Sequence, residues 1–254
     1  MRLISLNTWC GRSLYPLMAF FRKRADQTDI FCLQEVLNSD QEATDRRHPD
    51  EHVCGRLFPK LAAELRGFDG YFAAFEDDPE RMSLAVFVRR GLTVRTVGDL
   101  IVHKYLKPQE TGSAVFTHRK LQYVVMECGG RDLMIVNFHG LWNAGPKTDT
   151  PDRIVQSRRL AEFLGNFAGP KVLCGDFNLL PDTESLRIVE RGMRNLVREY
   201  RVPSTRTPLY RHYDDPAEPN FADYALVSPD VAVDRFEVLP DLVSDHAPLY
   251  LEFH

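Results

Sequence analysis

The sequence predicts an α/β fold in which β-sheets are sandwiched between helices. Apolar runs of strand length alternate along the chain with amphipathic stretches of helical spacing. A chain of 254 residues is long enough to bury a sizeable core without disulfides or a structural metal. No linker, low-complexity tract or internal repeat divides the chain, so we predict a single domain that spans residues 1–254.

The strands are predicted from short apolar runs bounded by polar or turn-forming residues. In chain order they are Leu3–Leu6, Asp29–Gln34, Leu84–Val88, Leu121–Met126, Leu133–Val136, Val172–Cys174, Tyr224–Val227 and Leu249–Phe253. Predicted helices separate several of these strands, and that alternation is typical of an α/β protein.

The helices are predicted from apolar spacing and from their end signals. Leu14–Ala25 and Val53–Leu65 carry apolar residues at helical spacing. A third helix is well delimited, because Thr150 can cap its N-terminus, Pro151 fits the first turn, and Gly169–Pro170 ends it.

One more helix and one long loop follow in the C-terminal third. Asp182 is the predicted N-cap of a helix that stops near Gly192. The stretch Pro203–Asn220 is rich in Pro, Asp, Tyr and Arg, so we predict a long loop there. Loops held by a rigid scaffold commonly set specificity.

The balance of charges disfavours one class of partner. The chain has 32 Lys and Arg against 36 Asp and Glu, a formal net charge of -4. Proteins that bind long nucleic acids usually carry a basic excess, because phosphate neutralisation dominates their affinity. We therefore do not expect an extended footprint on long duplex DNA, although a nucleic-acid substrate remains an alternative.

Cysteine usage and the apolar runs indicate the cellular compartment. Five cysteines at irregular spacing do not form a disulfide framework. The chain opens on a strand-like run, Met1–Leu6, and not on a signal segment. No apolar stretch approaches the ~20 residues of a membrane span. The expected location is the reducing cytoplasm, and the oligomeric state is left open.

Polar residues recur where apolar strands end. Asn7, Glu35 and His139 each follow a predicted strand, and "GDFN" places Asp176 and Asn178 after another. In α/β proteins the loops at strand ends converge, and active sites gather there. One such residue is usually a cap or a turn residue. Asn, Glu, Asp and His recur at the ends of the predicted strands, and this repetition indicates that they belong to one common site.

Six motifs extend this pattern over nearly the whole chain: "LISLNTW", "DIFCLQEV", "IVNFHG", "LCGDFNLLPD", "ADYALVS" and "SDHAPLYLEF". Their content and order resemble the endonuclease/exonuclease/phosphatase superfamily, which includes pancreatic-type deoxyribonucleases, abasic-site endonucleases, neutral sphingomyelinases, inositol polyphosphate phosphatases and deadenylases. The resemblance implies a four-layer sandwich of two mixed β-sheets flanked by helices. It also implies a phosphoester substrate and a Mg²⁺ or Mn²⁺ cofactor.

The resemblance assigns three residues to the metal. Glu35 matches the acidic metal ligand of the "QE" motif, Asn7 matches an Asn that supports the metal or contacts phosphate, and Asp245 matches a residue that supports the metal. Carboxylate and amide oxygens suit hard Mg²⁺, which keeps several waters and binds through one or two carboxylates.

The resemblance assigns five residues to the reaction. Asp176 and Asn178 match the pair that orients the attacking water and stabilises the pentavalent transition state. His246 matches the terminal histidine, Asp223 the acid that holds it, and His139 a second histidine or phosphate contact. A histidine oriented by a buried carboxylate moves protons efficiently near neutral pH.

Weaker signals indicate substrate contacts. Arg119 can form a bidentate contact with phosphate oxygens, although a surface role fits it equally well. Trp142 follows the "NFHG" motif and is a candidate cleft wall, but large aromatic residues more often lie in the core. Tyr210 lies in the long loop before Asp223 and is the third candidate.

One cluster outside the motifs could bind zinc. His48, His52 and Cys54 lie close together in "RRHPDEHVCG", but they offer only three ligands at loose spacing. A solvated loop that leads into a helix explains them better.

The sequence leaves two classes of function open. The first is a metal-dependent phosphodiesterase or phosphatase, with a small phosphoester or a lipid head group favoured and a nuclease as the alternative. The second is a binding protein that keeps the fold without turnover. The chain lacks the Trp ahead of "GD" and the Cys-Asp-Arg motif of inositol polyphosphate phosphatases. The short string "LNTW" is closer to the relatives of neutral sphingomyelinase.

Overall fold

The structure is a computed structural model that describes residues 1–39, 43–44, 52–76, 81–103, 118–143, 145–216 and 219–254. Within those ranges the strands in chain order are β1 (Arg2–Asn7), β2 (Ile30–Val36), β3 (Ala43–Thr44), β4 (His52–Val53), β5 (Phe68–Phe72), β6 (Ser83–Arg89), β7 (Val94–His103), β8 (Arg119–Cys128), β9 (Arg131–His139), β10 (Lys171–Asp176), β11 (Arg194–Asn195), β12 (Asp223–Val227), β13 (Val233–Val238) and β14 (Leu249–Phe253).

Two mixed sheets of six strands form the centre of the molecule. The first has the order β13-β14-β1-β2-β6-β5, and the second has the order β11-β12-β10-β9-β8-β7. In each sheet one inner pair is parallel, β1 with β2 and β9 with β10, and the other pairs are antiparallel. β3 and β4 form a separate two-stranded antiparallel sheet. The predicted pair of mixed sheets is confirmed.

The α-helices in the same ranges are α1 (Leu14–Arg24), α2 (Leu57–Glu64), α3 (Pro151–Gly165), α4 (Glu184–Glu190) and α5 (Leu196–Glu199). None of the helices in the described ranges combines the length and the apolar character that a membrane crossing requires.

The N-terminal cap was predicted correctly for α3 and wrongly for α4, and α3 ends at Gly165, before the predicted stop at Gly169–Pro170. Thr150 accepts a hydrogen bond from the Arg153 N–H at 3.2 Å, and Pro151 begins the helix. For α4 the cap is Thr183, which accepts from the Leu186 N–H at 3.3 Å, and Asp182 lies one residue too early. Both residue types cap helices well, so the sequence alone did not distinguish the neighbours.

The core fills the space between the sheets and beneath the helices. Apolar side chains from both sheets share one buried cluster, which includes Leu3, Ile30, Ile135 and Leu173. A second cluster joins the first sheet to α1 and α2, with Phe21 of α1 fully buried in it. These two clusters account for the sheet-to-sheet and helix-to-sheet layers that were expected.

A buried polar contact also crosses between the sheets. The Asn137 amide donates to the carbonyls of Leu33 and Ala85 at 2.9 and 3.1 Å. Its oxygen accepts a hydrogen bond from Gln34 Nε2 at 2.7 Å. Because these residues lie in the strands that lead to the site, the contact fixes how the two sheets meet.

Candidate active site

The carboxyl ends of the two parallel strand pairs meet at one edge of the sandwich. In the first sheet Asn7 ends β1, and in the second sheet Asp176 ends β10 opposite His139 of β9. Asn7 Nδ2 donates to Asp176 Oδ2 at 3.0 Å, so one hydrogen bond joins the two sheets at the site. The Asn7 amide oxygen accepts from the backbone N–H of Trp9 at 2.9 Å.

A bulge in β2 directs Glu35 into the cleft. The pairing of β2 with β6 shifts register between Leu33 and Val36, and Glu35 has a φ of 55°. A non-glycine residue in the left-handed region is strained, and bulges near active sites often redirect a side chain. Glu35 lines the same cleft as His139, and its Oε1 lies 3.9 Å from His139 Nε2.

Two glycines allow the ends of β9 and β10 to approach closely. A Cβ on Gly140 would lie 2.1 Å from the carbonyl oxygen of Phe177, and one on Gly175 would lie 2.0 Å from that of Phe138. The Gly140 carbonyl accepts from Arg119 Nε at 2.8 Å and from Asn178 Nδ2 at 3.3 Å. Side chains at these two positions would force the strand ends apart.

Asp176 is held by hydrogen bonds on both of its oxygens. Oδ1 accepts from the backbone N–H of Asn178 at 2.9 Å, and Oδ2 accepts from Asn7. Burial alone would raise the pKa of Asp176, but the nearby His246 and His139 hold that pKa below its usual range. Asp176 is therefore a fixed carboxylate near neutral pH.

Asp223 and His246 form a buried hydrogen-bonded dyad. His246 Nδ1 lies 2.9 and 2.8 Å from the two oxygens of Asp223. Asp223 starts β12 opposite Asp176 in the sheet, so His246 Nε2 comes within 3.7 Å of Asp176 Oδ2. Burial and Arg206 disfavour the imidazolium, but the three carboxylates around it raise the pKa of His246 above its usual value.

His139 has the opposite electrostatic environment. Its Nε2 lies 3.6 Å from Asp176 Oδ2, yet burial and the charge of Arg119 lower its pKa to about 4. His139 is therefore neutral near pH 7, while His246 favours the charged form. The pKa values of the two histidines beside Asp176 are thus shifted in opposite directions.

Nine of the eleven residues that the sequence singled out line one cleft: Glu35, Arg119, His139, Trp142, Asp176, Asn178, Tyr210, Asp245 and His246. The other two are fully or almost fully buried beneath it, where Asn7 contacts Asp176 and Asp223 contacts His246. Arg119 is buried and is not a surface residue. Its guanidinium donates a hydrogen bond to the Gly140 carbonyl.

Among the cleft cations that the sequence did not single out, Lys147 and Arg206 lie together against Tyr210. Arg206 Nη1 donates to Asp245 Oδ2 at 2.8 Å, so Asp245 is paired with a cation. The guanidinium carbon lies 4.3 Å from the centre of the Tyr210 ring, and Lys147 Nζ lies 5.1 Å from it. Both cations come from loops, and no residue pattern in the sequence marks them.

The zinc candidate of the sequence is not assembled in the described residues. His52 is exposed and lines the cleft, whereas Cys54 is buried beneath Gly11. His48 lies outside the described residues.

The donor set at the Glu35 end of the cleft fits a hard divalent metal. The side-chain oxygens of Glu35 and Asp176 line this end of the cleft, and the Asn7 amide lies beneath it. Carboxylate and amide oxygens suit Mg²⁺ or Mn²⁺. The donor atoms of Asp176, Asp223 and His246 also lie within 4.8 Å of one another. Because both Asp223 oxygens already contact His246 Nδ1, we interpret that second group as a dyad facing Asp176.

Comparison with known proteins gives the family and the fold. The model of the Endonuclease/Exonuclease/phosphatase family matches residues 4–246. No curated protein sequence matches the chain. A mannosyl-6-phosphatase from Bacteroides thetaiotaomicron VPI-5482 is similar in structure, with a TM-score of 0.72 at 19% identity over 100% of this chain and 99% of that one.

Two other solved structures share the fold. The human Nocturnin catalytic domain with bound sulfate anion has a TM-score of 0.67 at 19% identity, over 100% of this chain and 93% of that one. A humanized D. rerio TDP2 has a TM-score of 0.71 at 12% identity, over 100% and 98% of the two chains. At these identities the likeness establishes the sandwich of two sheets, and the chemistry has to be argued from the site.

Proposed function

The chain belongs to the endonuclease/exonuclease/phosphatase family, and on that premise we propose that it hydrolyses a phosphoester with the help of Mg²⁺ or Mn²⁺. One observation carries the proposal: Glu35, the Asp176–Asn178 pair and the Asp223–His246 dyad converge in one cleft. The favoured substrate is a small phosphoester or a lipid head group.

In this proposal Glu35 binds the metal, with support from Asn7 and Asp245. When bound, the metal supplies positive charge that stabilises the phosphoryl oxygens in the transition state. The hydrogen bonds of Asn7 to Asp176 and to Trp9 fix its amide, and Arg206 fixes the Asp245 carboxylate. A site whose ligands are held before the substrate arrives needs little rearrangement during the reaction.

Asp176 and Asn178 orient the attacking water. Asp176 is anionic near neutral pH, so its carboxylate accepts a hydrogen bond from the attacking water. That hydrogen bond directs a lone pair of the water oxygen at phosphorus. The side-chain amide of Asn178 is anchored on the Gly140 carbonyl and lines the cleft, where it can donate to a phosphoryl oxygen.

The two histidines divide the remaining work. His246, whose pKa is raised and whose ring Asp223 holds, donates a proton to the leaving ester oxygen as its bond to phosphorus breaks, and the proton lost by the attacking water passes to solvent. His139 is neutral and gives an N–H to a phosphoryl oxygen without adding a charge next to the metal.

The proposal is tested with phosphomonoesters, aryl phosphodiesters and short single-stranded oligonucleotides, each with Mg²⁺ and with Mn²⁺. We expect metal-dependent turnover by the wild-type protein and loss of most of that turnover in Glu35→Gln, because a neutral amide binds Mg²⁺ poorly. The folded state of the variant is checked by its melting temperature.

Two outcomes would count against the proposal. Near-wild-type turnover of Glu35→Gln at sub-millimolar Mg²⁺ would remove Glu35 from the metal site. No turnover of any substrate with either metal would favour a binding protein that keeps the fold.

A further inference from the structure

Lys147 and Arg206 place two positive charges in one wall of the cleft, next to Asp245. Arg206 is 7% exposed, and Lys147 is only partly exposed. The Tyr210 ring packs against both cations, with centroid distances of 4.3 Å to the Arg206 guanidinium carbon and 5.1 Å to Lys147 Nζ. An aromatic face stabilises cations at such distances and holds them side by side.

The contacts of Arg206 leave part of its guanidinium unused. Nη1 pairs with Asp245 Oδ2 at 2.8 Å. Nε is buried and has no hydrogen-bond partner among the described residues. A buried donor without a partner costs free energy, so a group of this kind in a cleft points to a ligand or to an ordered water.

The contacts of Lys147 also leave donors for a ligand. Its Nζ donates to the Phe221 carbonyl at 3.1 Å, and an ammonium has three N–H groups. Burial and the neighbouring Arg206 lower the pKa of Lys147 to about 8, whereas Asp176, Asp223 and Asp245 act in the opposite direction. A bound anion would further favour the charged form.

Hydrogen bonds hold the loop that carries Lys147 on both sides of the lysine. Arg153 is fully buried, and it donates to the carbonyls of Pro146 at 2.7 Å and of Thr148, on the two sides of Lys147. The Lys147 carbonyl itself accepts from the Leu180 N–H at 2.9 Å. A surface lysine without function needs no such support, whereas a binding group benefits from it.

We propose that Lys147 and Arg206 form a site for a second anionic group of the substrate, a phosphate or a carboxylate, beside the phosphoryl group that is cleaved. This inference rests on the proposed function and narrows its substrate class. Asp245 pairs with Arg206 at 2.8 Å, whereas no carboxylate of the described residues forms an ion pair with Lys147, whose Nζ contacts the Phe221 carbonyl. The favoured substrate is a phosphoester whose organic part carries a further acidic group.

The test uses three matched ligands that the enzyme cannot hydrolyse: butylphosphonate, 4-phosphonobutanoate and propane-1,3-diphosphonate. They have similar length and differ in whether the far end is a methyl, a carboxylate or a phosphonate. Dissociation constants are measured by isothermal titration calorimetry with saturating Mg²⁺. We expect at least one doubly anionic ligand to bind about tenfold more tightly than butylphosphonate, as for one added charge-assisted hydrogen bond.

Three variants locate the effect. Lys147→Met should reduce the preference for the doubly anionic ligand over butylphosphonate to about twofold or less. Lys147→Arg should restore most of that preference. Arg191→Met removes one positive charge at a side chain that is 76% exposed, and it should keep the preference. Arg206 is left intact, because truncation would leave the Asp245 carboxylate buried and unpaired. Melting temperatures confirm that each variant folds.

The outcomes separate this inference from the proposed function. A preference for the carboxylate or for the phosphonate identifies the second group, and either supports the site. No preference in the wild-type protein, a preference that survives Lys147→Met, or an equal loss of all three ligands would overturn it. Absence of phosphoester turnover alongside an intact preference would refute the proposed function and leave the anion site standing.

Discussion

The contact between Asp223 and His246 makes the sharpest prediction at the scale of single residues. His246 Nδ1 faces both oxygens of Asp223, so the carboxylate fixes the ring and favours its charged form. We expect Asp223→Asn and His246→Ala each to reduce kcat by ~10²–10⁴, the usual contribution of general acid–base catalysis. Initial rates on an aryl phosphodiester at saturating metal are the measurement.

The double variant distinguishes a dyad from two independent residues. Groups that act as a unit are non-additive, so Asp223→Asn with His246→Ala should be little slower than the slower single variant. Fully multiplicative losses would mean that the two side chains act separately.

Residues of the candidate site were predictable where they end an apolar strand. Asn7, Glu35 and Asp176 stand out because a polar side chain interrupts a buried run, and the structure gathers them. Lys147 and Arg206 could not be found this way. A cation in a loop is usually solvated, and only the tertiary fold brings these two together at the Tyr210 ring and pairs Arg206 with Asp245.

Between secondary-structure elements, the close approach of β9 and β10 gives a second prediction. In Gly140→Ala the new Cβ would lie 2.1 Å from the Phe177 carbonyl oxygen, which is flanked by Asp176 and Asn178. We expect kcat to fall by ~10²-fold, because a displacement near 1 Å in a catalytic constellation has that effect. The unfolding free energy should fall by about 1–3 kcal/mol, as for an overpacked core.

Gly165→Ala is the matched control, because a Cβ added there, at the end of α3, would meet no atom within 4 Å outside the backbone of its own helix. Its activity should equal that of the wild-type protein. Wild-type turnover in Gly140→Ala would show that the strand ends tolerate separation.

Asp29 ties the first sheet together and makes its stability depend on pH. Its carboxylate accepts from the Arg2 backbone and side chain and pairs with Arg89, so β1, β2 and β6 meet there. Burial alone would raise the pKa of Asp29, but the contacts with Arg2 lower it. A lowered folded-state pKa stabilises the protein above the unfolded-state pKa, near 4, and that stabilisation is lost as the pH falls through the folded-state value.

Asp29→Asn should therefore be less stable than the wild-type protein at pH 7, and the difference should shrink as the pH falls below about 4. Denaturant unfolding at pH 7, 5, 4 and 3 measures it. A difference that stays constant over this range would show that the charge of Asp29 contributes nothing.

Among the secondary-structure elements, the buried central strands were predicted better than the exposed edge strands. The central strands β1, β9, β10 and β14 appear in it as apolar runs, whereas β7 and β13 were missed because much of each is exposed and polar. β5 was missed because its short run contains Asp69 and Gly70. Apolar periodicity reports burial, so a strand with one solvated face and many charges gives little signal.

For the molecule as a whole, charge predicts weak binding to long duplex DNA. The formal net charge is -4, and duplex affinity grows with the number of phosphates that basic side chains neutralise. We expect the metal-free protein to bind a duplex of ~20 base pairs with a dissociation constant above a micromolar near 0.15 M salt. Fluorescence anisotropy across a salt series is the measurement.

A single strand of the same length serves as the comparison ligand. Sub-micromolar duplex affinity with a log–log salt slope of roughly -5 or steeper would reveal a basic face and restore duplex DNA as a substrate.

The pairing of β1 with β14 has a consequence for how the protein matures during synthesis. Arg2–Ser5 of β1 pair with Leu249–Glu252 of β14, so β1 is synthesised well before the strand that pairs with it on this side. Asp223 and His246 also emerge late, on either side of β13. On the ribosome, a nascent chain that carries Glu35 and Asp176 therefore still lacks both the dyad and the strand that covers β1. We therefore expect the candidate site to be complete only after β14 has been made, and the edge of β1 that β14 covers to stay unpaired until then.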